Sequence, residues 1–134
     1  MNAKEIVLGE LKALGKQDVD GVCQAFAADC YLLDVGLGSS VRGRDELRAS
    51  LEDLYSAIPD LASKAHRIIA EGKHVAMEYE LWGHHKGEMF GVAATDKIVT
   101  WRGFAMFEVD VESGVIDSEH YYYDSAAIRS QMSS

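Results

Sequence analysis

The chain has 134 residues, 48% of them hydrophobic and 26% charged, the composition of an ordinary globule large enough to bury a core. Its formal net charge of −9, from 22 acidic against 13 basic residues, argues against nucleic acid or an anionic membrane surface as partner, because no basic cluster is there to neutralise phosphates. No apolar run approaches the roughly 18 residues of a membrane span, and the start, Met1 to Glu5, leads into an amphipathic segment rather than a signal peptide.

Ala3, Val7, Leu11 and Leu14 recur at helical spacing, so residues 3–15 read as a first helix closed by Gly15. Asp18 suits the N-cap of a second, with Val19, Val22, Cys23 and Phe26 on one stripe. The two cysteines, Cys23 and Cys30, fall across that helix's end, which fits a reduced, cytoplasmic protein better than a disulfide. Cys30 to Val35 reads as a strand, and Gly36 to Gly43 as a Gly/Ser connection without the Gly-Lys-Ser of a phosphate loop. A third helix carries Leu47, Leu51, Leu54 and Ile58, with Tyr55 beside the stripe, until Pro59 stops it.

From Leu61 the period changes to two. Strands are predicted over 63–70, 74–86, 98–111 and 115–124, the second alternating Met77, Tyr79, Leu81, Gly83 and His85 against Glu78, Glu80, Trp82 and His84. A short amphipathic tail follows over 125–132. Helices first and strands afterwards make a single α+β domain over 1–134: a cone-shaped, curved antiparallel sheet packed on three N-terminal helices, with the open end of the cone as a pocket.

The last strand, Val115 to Asp124, carries the densest chemistry. Alternation puts Ile116, Ser118, His120, Tyr122 and Asp124 on one face and Val115, Asp117, Glu119, Tyr121 and Tyr123 on the other. The first face holds an imidazole, a phenol and a carboxylate in a row, and it is taken as the pocket face. With Met77, Tyr79, Leu81, Trp101 and Phe107 it would enclose a small, mostly apolar, carbonyl-bearing molecule, and Tyr122 or Tyr55 could donate to a developing enolate oxygen. Asp124, desolvated there, would become a base near neutral pH; it would equally serve as N-cap of the tail. The outer face, with Trp82, Phe104, Met106, Tyr121 and Tyr123, is too aromatic for free solvent and predicts a homodimer.

The run Gly83-His84-His85-Lys86-Gly87-Glu88-Met89-Phe90-Gly91-Val92-Ala93-Ala94-Thr95-Asp96-Lys97 resembles the middle of SnoaL-like polyketide cyclases, within the ketosteroid isomerase and nuclear transport factor 2-like (cystatin-like roll) superfamily. Arg42 to Asp45, Ile58 to Leu61 and the ending Tyr122-Tyr123-Asp124 extend the match across nearly the whole chain. The resemblance implies acid/base catalysis of an intramolecular aldol closure, with no metal and no cofactor. It puts the base on Asp124 and the family histidine on His85, while His120 stands where the family commonly has tryptophan. His85 would polarise the carbonyl, and His120 would tune the carboxylate. Two histidines and a carboxylate could instead hold a metal. Epoxide hydrolysis, also known on this fold, lacks its Arg-x-Asp pattern, since Gly103 and Phe104 follow Arg102. A non-catalytic binding or dimerisation module is the other functional class.

Overall fold

Asn2 closes a reciprocal cap on the first helix, α1 (Ala3–Leu14). Its side-chain oxygen accepts from the Glu5 N–H at 2.9 Å, and the Glu5 carboxylate accepts from the Asn2 N–H at 3.0 Å, satisfying two of the orphan donors at a helix start. In the computed structural model, which describes residues 1–133, α1 is followed by α2 (Val19–Ala25), β1 (Phe26–Asp34), β2 (Ser39–Arg42) and α3 (Gly43–Ala57). Then come β3 (Ala62–Glu71), β4 (His74–His84), β5 (Ile98–Asp110), β6 (Val115–Tyr123) and α4 (Ser125–Met132). Asp18 caps α2 through the Gly21 N–H at 3.0 Å, as its position before the apolar stripe predicts.

The strands form one curved, unclosed sheet in the order β2-β1-β6-β5-β4-β3. Its β3–β4–β5–β6 part is the predicted antiparallel meander. Several features differ from expectation. β1 pairs with β6 in parallel, so the sheet is mixed, and the Gly/Ser connection contains the edge strand β2. The tail forms a fourth helix, and β1 begins at Phe26 rather than Cys30. The helices α1 and α3 cover the concave face, α1 against β3 to β6 and α3 against β1 and β2. Phe26, Ile58, Leu61, Met77, Phe107 and Ile116 are fully buried between them. Each such side chain contributes roughly 1.5–3 kcal/mol by leaving water.

One irregularity decides what the last strand presents. In the β5–β6 ladder Val109 stands opposite Ile116, yet Glu108 stands opposite Ser118, so Asp117 has no partner: it is a β-bulge. An inserted residue reverses the alternation beyond it. Ile116 points into the core, whereas Glu119, Tyr121 and Tyr123 then take the inner face, opposite Phe107, Ala105 and Gly103. His120 and Tyr122 are thrown to the outer face, the reverse of the face assignment made from strict alternation.

Both cysteines are free and buried. Among the described residues no helix is long and apolar enough to cross a membrane.

Candidate functional site

The concave side of the sheet and the helices above it enclose a cavity of about 650 Å³, within the range of small-molecule sites. Its walls are Leu11 and Leu14 of α1, Leu47, Leu51 and Leu54 of α3, Met77, Tyr79 and Leu81 of β4, Trp101 of β5, and Ile128 of α4. The loop over residues 85–97 supplies Met89 and Phe90. That loop is pinned to the end of α3, where the Lys86 and Gly87 N–H groups both donate to the Ala57 carbonyl, and Arg129 donates to the Phe90 carbonyl at 3.0 Å. Exposed lining residues Leu37, Asp53 and Glu88 mark the mouth.

Two carboxyl groups project into this apolar space. Glu10 on α1 is only 6% exposed, and Glu119 on β6 lines the same cavity. Among the described residues no hydrogen bond reaches either carboxyl. Burial pushes Glu10 from the ordinary value of 4.5 up to about 8. Glu119 is raised well above its ordinary value, by burial first and then by the negative charge of Glu10. Ionising either group means holding a charge against largely apolar walls, and ionising both adds repulsion. The two therefore titrate as one unit, both shifted upwards from the ordinary carboxylate range.

Tyrosines surround the pair. Burial raises the hydroxyls of Tyr79, Tyr121 and Tyr123 above their ordinary range, so all three are neutral donors. Tyr123 donates to the Asp34 carboxylate at 2.9 Å. Glycines make room for two of the rings: Tyr79 lies across Gly103, and a Cβ on Gly36 would fall 2.7 Å from the Tyr123 ring. Phe90, Tyr123 and Tyr121 stack in series, with centroids 6.4 and 6.2 Å apart.

Of the residues singled out in the sequence, Met77, Tyr79, Leu81 and Trp101 line the cavity. Phe107 is 1% exposed and belongs to the core rather than the lining. Tyr55 sits behind the wall, where its hydroxyl donates to the Leu14 carbonyl at 2.6 Å and is pushed up to about 12 by burial and then the charge of Glu10. Tyr122 is 44% exposed on the outer face against Phe104. His120 packs edge-on to Tyr31 on that same face, at 5.9 Å.

His85 is fully buried outside the lining. Its Nδ1 accepts from the Thr95 N–H at 3.3 Å and lies 2.9 Å from the Thr95 hydroxyl, which assigns the proton to Nε2, a nitrogen without a partner among the described residues. It ties down the 85–97 loop rather than facing the cavity. Among the described residues no three of His, Cys, Asp and Glu converge on a metal-sized cluster.

Asp124 is exposed, lies outside the cavity lining, and accepts from the Ala127 N–H at 3.1 Å as N-cap of α4. Asp124→Ala should therefore cost about 1 kcal/mol of stability, seen as a melting temperature lower by a few degrees. Unchanged stability would mean that the cap is dispensable.

Glu10, Glu119, Tyr121 and Tyr123 are the residues that sequence reasoning did not put in the site. Glu10 carried a signal, because it falls on the helical stripe of Ala3, Val7 and Leu14, where an acid is out of place. The other three carried one in the change of apolar phase between Ile116 and Tyr121.

A curved sheet closed by helices over a cavity of this kind is the ketosteroid isomerase-like fold. Solved structures of that fold superpose over nearly the whole chain. A candidate SnoaL-like polyketide cyclase from Jannaschia matches with a TM-score of 0.87 at 18% identity, covering 98% of this chain and 92% of that one. AclR, a candidate hydroxylase from Streptomyces galilaeus, matches at 0.84 and 20% identity, covering 97% and 94%. A protein with a ketosteroid isomerase-like fold from Catenulispora acidiphila, crystallised in complex with trimethylamine, matches at 0.82 and 21%, covering 96% and 92%. No curated protein matches the chain in sequence. The profile of the SnoaL-like polyketide cyclase family matches residues 5–132, and the chain belongs to that family.

Proposed function

We propose that the cavity binds a small, mostly apolar carbonyl compound and that Glu10 and Glu119 move a proton at the carbon next to its carbonyl. The observation that carries this reading is the unpartnered carboxyl pair in an apolar, tyrosine-lined enclosure. With one proton on the pair, one carboxylate takes the C–H proton while the partner carboxyl donates to the carbonyl oxygen, forming an enol. In a ligand with a second carbonyl, the enol carbon attacks that carbonyl carbon. The enol hydroxyl returns its proton to the carboxylate that supplied it as its C=O re-forms, and the new hydroxyl oxygen takes the proton held by the other carboxyl, leaving the pair with one proton as before. A C–C bond forms and nothing leaves, which is an intramolecular aldol closure. Without a second carbonyl, return of the proton elsewhere on the enol is an isomerisation. Family membership supports the cyclase form.

The role that the resemblance puts on Asp124 passes in this reading to the pair, because the Asp124 carboxylate is engaged in its cap. The test is solvent deuterium uptake. Incubated in heavy water with a panel of aryl 1,3-diketones, the protein should speed exchange at the C–H between the carbonyls, read by proton NMR. Exchange at the buffer rate for every diketone that binds would sink the reading.

We further propose that the protein is a homodimer through the outer sheet face. Phe104, Met106 and Tyr122 are 44%, 39% and 44% exposed there, beside Trp82 and His120. Tyr121 and Tyr123, expected on this face, belong to the cavity instead. Light scattering should give twice the mass of one chain, falling to one chain in Phe104→Glu; a monomeric parent would rule the dimer out.

A further inference from the structure

The charges lining the cavity have one sign. Glu10, Asp34, Asp53, Glu88 and Glu119 line it, and among the described residues no lysine, arginine or histidine does. A site built for a carboxylate- or phosphate-bearing ligand would hold at least one cationic partner. The walls between the acids are the faces and edges of Tyr79, Phe90, Trp101, Tyr121 and Tyr123, the surfaces that attract an organic cation through their quadrupoles. Glu10 adds an independent sign: only 6% of its surface is exposed, no donor among the described residues satisfies it, and it opens on the cavity. A buried polar group without a partner is costly unless something arrives to pair with it.

We infer that the cavity selects an amine-bearing ligand, cationic at neutral pH, whose ammonium group rests against the Glu10–Glu119 pair inside the aromatic wall. This rests on the reading of the cavity as a ligand site and names the class of molecule it takes. The exchange at the pair is balanced: the ammonium enters with its positive charge, one carboxyl proton leaves to solvent, and the pair is left with one proton and one negative charge. That singly protonated state is the acid and base that the proposed chemistry requires. The ligand's own positive charge thus raises the share of the pair in that state, against the burial that favours the protonated form. The other titratable groups lining the cavity are all acids: Asp34 from β1, Asp53 from α3, Tyr79 from β4, Tyr121 and Tyr123 from β6, and Glu88 from the 85–97 loop, with no titratable group among the lining residues of α4 or β5. Tyr55, behind the wall, also feels the charge of Glu10. None of them offers a cation that would compete with the ammonium.

The experiment compares probes of one shape and three charges by titration calorimetry at pH 7: 1-naphthylmethylamine, 1-naphthalenemethanol and 1-naphthoate. The amine should bind at least tenfold more tightly than the alcohol, and the acid most weakly. In buffers of different ionisation enthalpy the amine's heat should report close to one proton released, and its affinity should rise as pH goes from 6 to 8. In the double variant Glu10→Gln, Glu119→Gln the amine should fall to the alcohol's affinity, with the alcohol still bound. Benzyltrimethylammonium, which cannot donate a hydrogen bond, should lose affinity in the same variant, as a charge-based preference requires. Equal binding of amine and alcohol, or a preference that survives in the double variant, overturns the cation inference while leaving the cavity a binding site. Failure of all three naphthalene probes to bind overturns both.

Discussion

Glu10→Gln should make the protein more heat-stable than the parent at pH 9 and leave the two nearly equal at pH 5. Glu10 has a folded pKa of about 8 against 4.5 in the unfolded chain. Between those values the folded state binds more protons than the unfolded one, so the free energy of unfolding falls as pH rises. The group's contribution is fully present below pH 4.5 and is lost progressively up to about pH 8. At about 1.4 kcal/mol per pKa unit the loss is on the order of 4–5 kcal/mol, which for a chain of this size means a melting temperature lower by roughly 10 °C or more. Glu119 acts in the same direction. The carboxylates of Asp60, Glu80, Asp96 and Asp110 are shifted downwards instead, by their partners His84, His66, Lys86 and Ser113. Their effect therefore lies on the acid side of the window, where it cannot cancel the loss. Calorimetric scans from pH 5 to 9 check this. A parent whose melting temperature is flat over that range, or a Glu10→Gln profile as steep as the parent's, would show that the carboxyl is not held in an unsolvated site.

The fold is legible in the sequence because its signals are periodic and repeated. Val7, Leu11 and Leu14 mark one face of α1, Pro59 ends the helix region, and the alternation Met77, Tyr79, Leu81 marks the inner face of β4. The same alternation is why those strand residues, with Trp101, are found in the cavity where the sequence puts them. The parallel β1–β6 pair is not legible, since its partners lie some 90 residues apart and nothing local to either strand names the other. On β6 a single residue misleads the reading. Alternation is a count of two from a fixed start, and Ile116 is a sound start, but Asp117 bulges out and shifts every later side chain to the opposite face. The polar trio expected on the pocket face is thereby taken off it, with His120 and Tyr122 on the outer face and Asp124 in its cap. Glu10 escapes notice because a glutamate in an amphipathic helix is ordinarily read as solvent-facing. Only the covering sheet makes it an interior group.

The largest effect expected falls on turnover. In the deuterium-exchange assay Glu119→Gln should cost about 10²–10⁴-fold, the usual contribution of a positioned acid/base group. Glutamine keeps the shape of the side chain and removes the proton-accepting oxygen pair. Glu10→Gln should cost a similar factor, and the double variant little more than either single one, because groups that act as one unit are not additive. Asp124→Asn keeps a side-chain oxygen for the Ala127 N–H and should leave exchange within about twofold, as asparagine is as good an N-cap as aspartate. His120→Asn, on the outer face, should do the same. A hundredfold loss in Asp124→Asn at unchanged melting temperature would return the base to the strand-end aspartate. Strict additivity between Glu10→Gln and Glu119→Gln would break the pair into two unrelated acids. Because the bulge at Asp117 aims Glu119 inward and its neighbour His120 outward, adjacent positions on one strand should differ in effect by about two orders of magnitude or more.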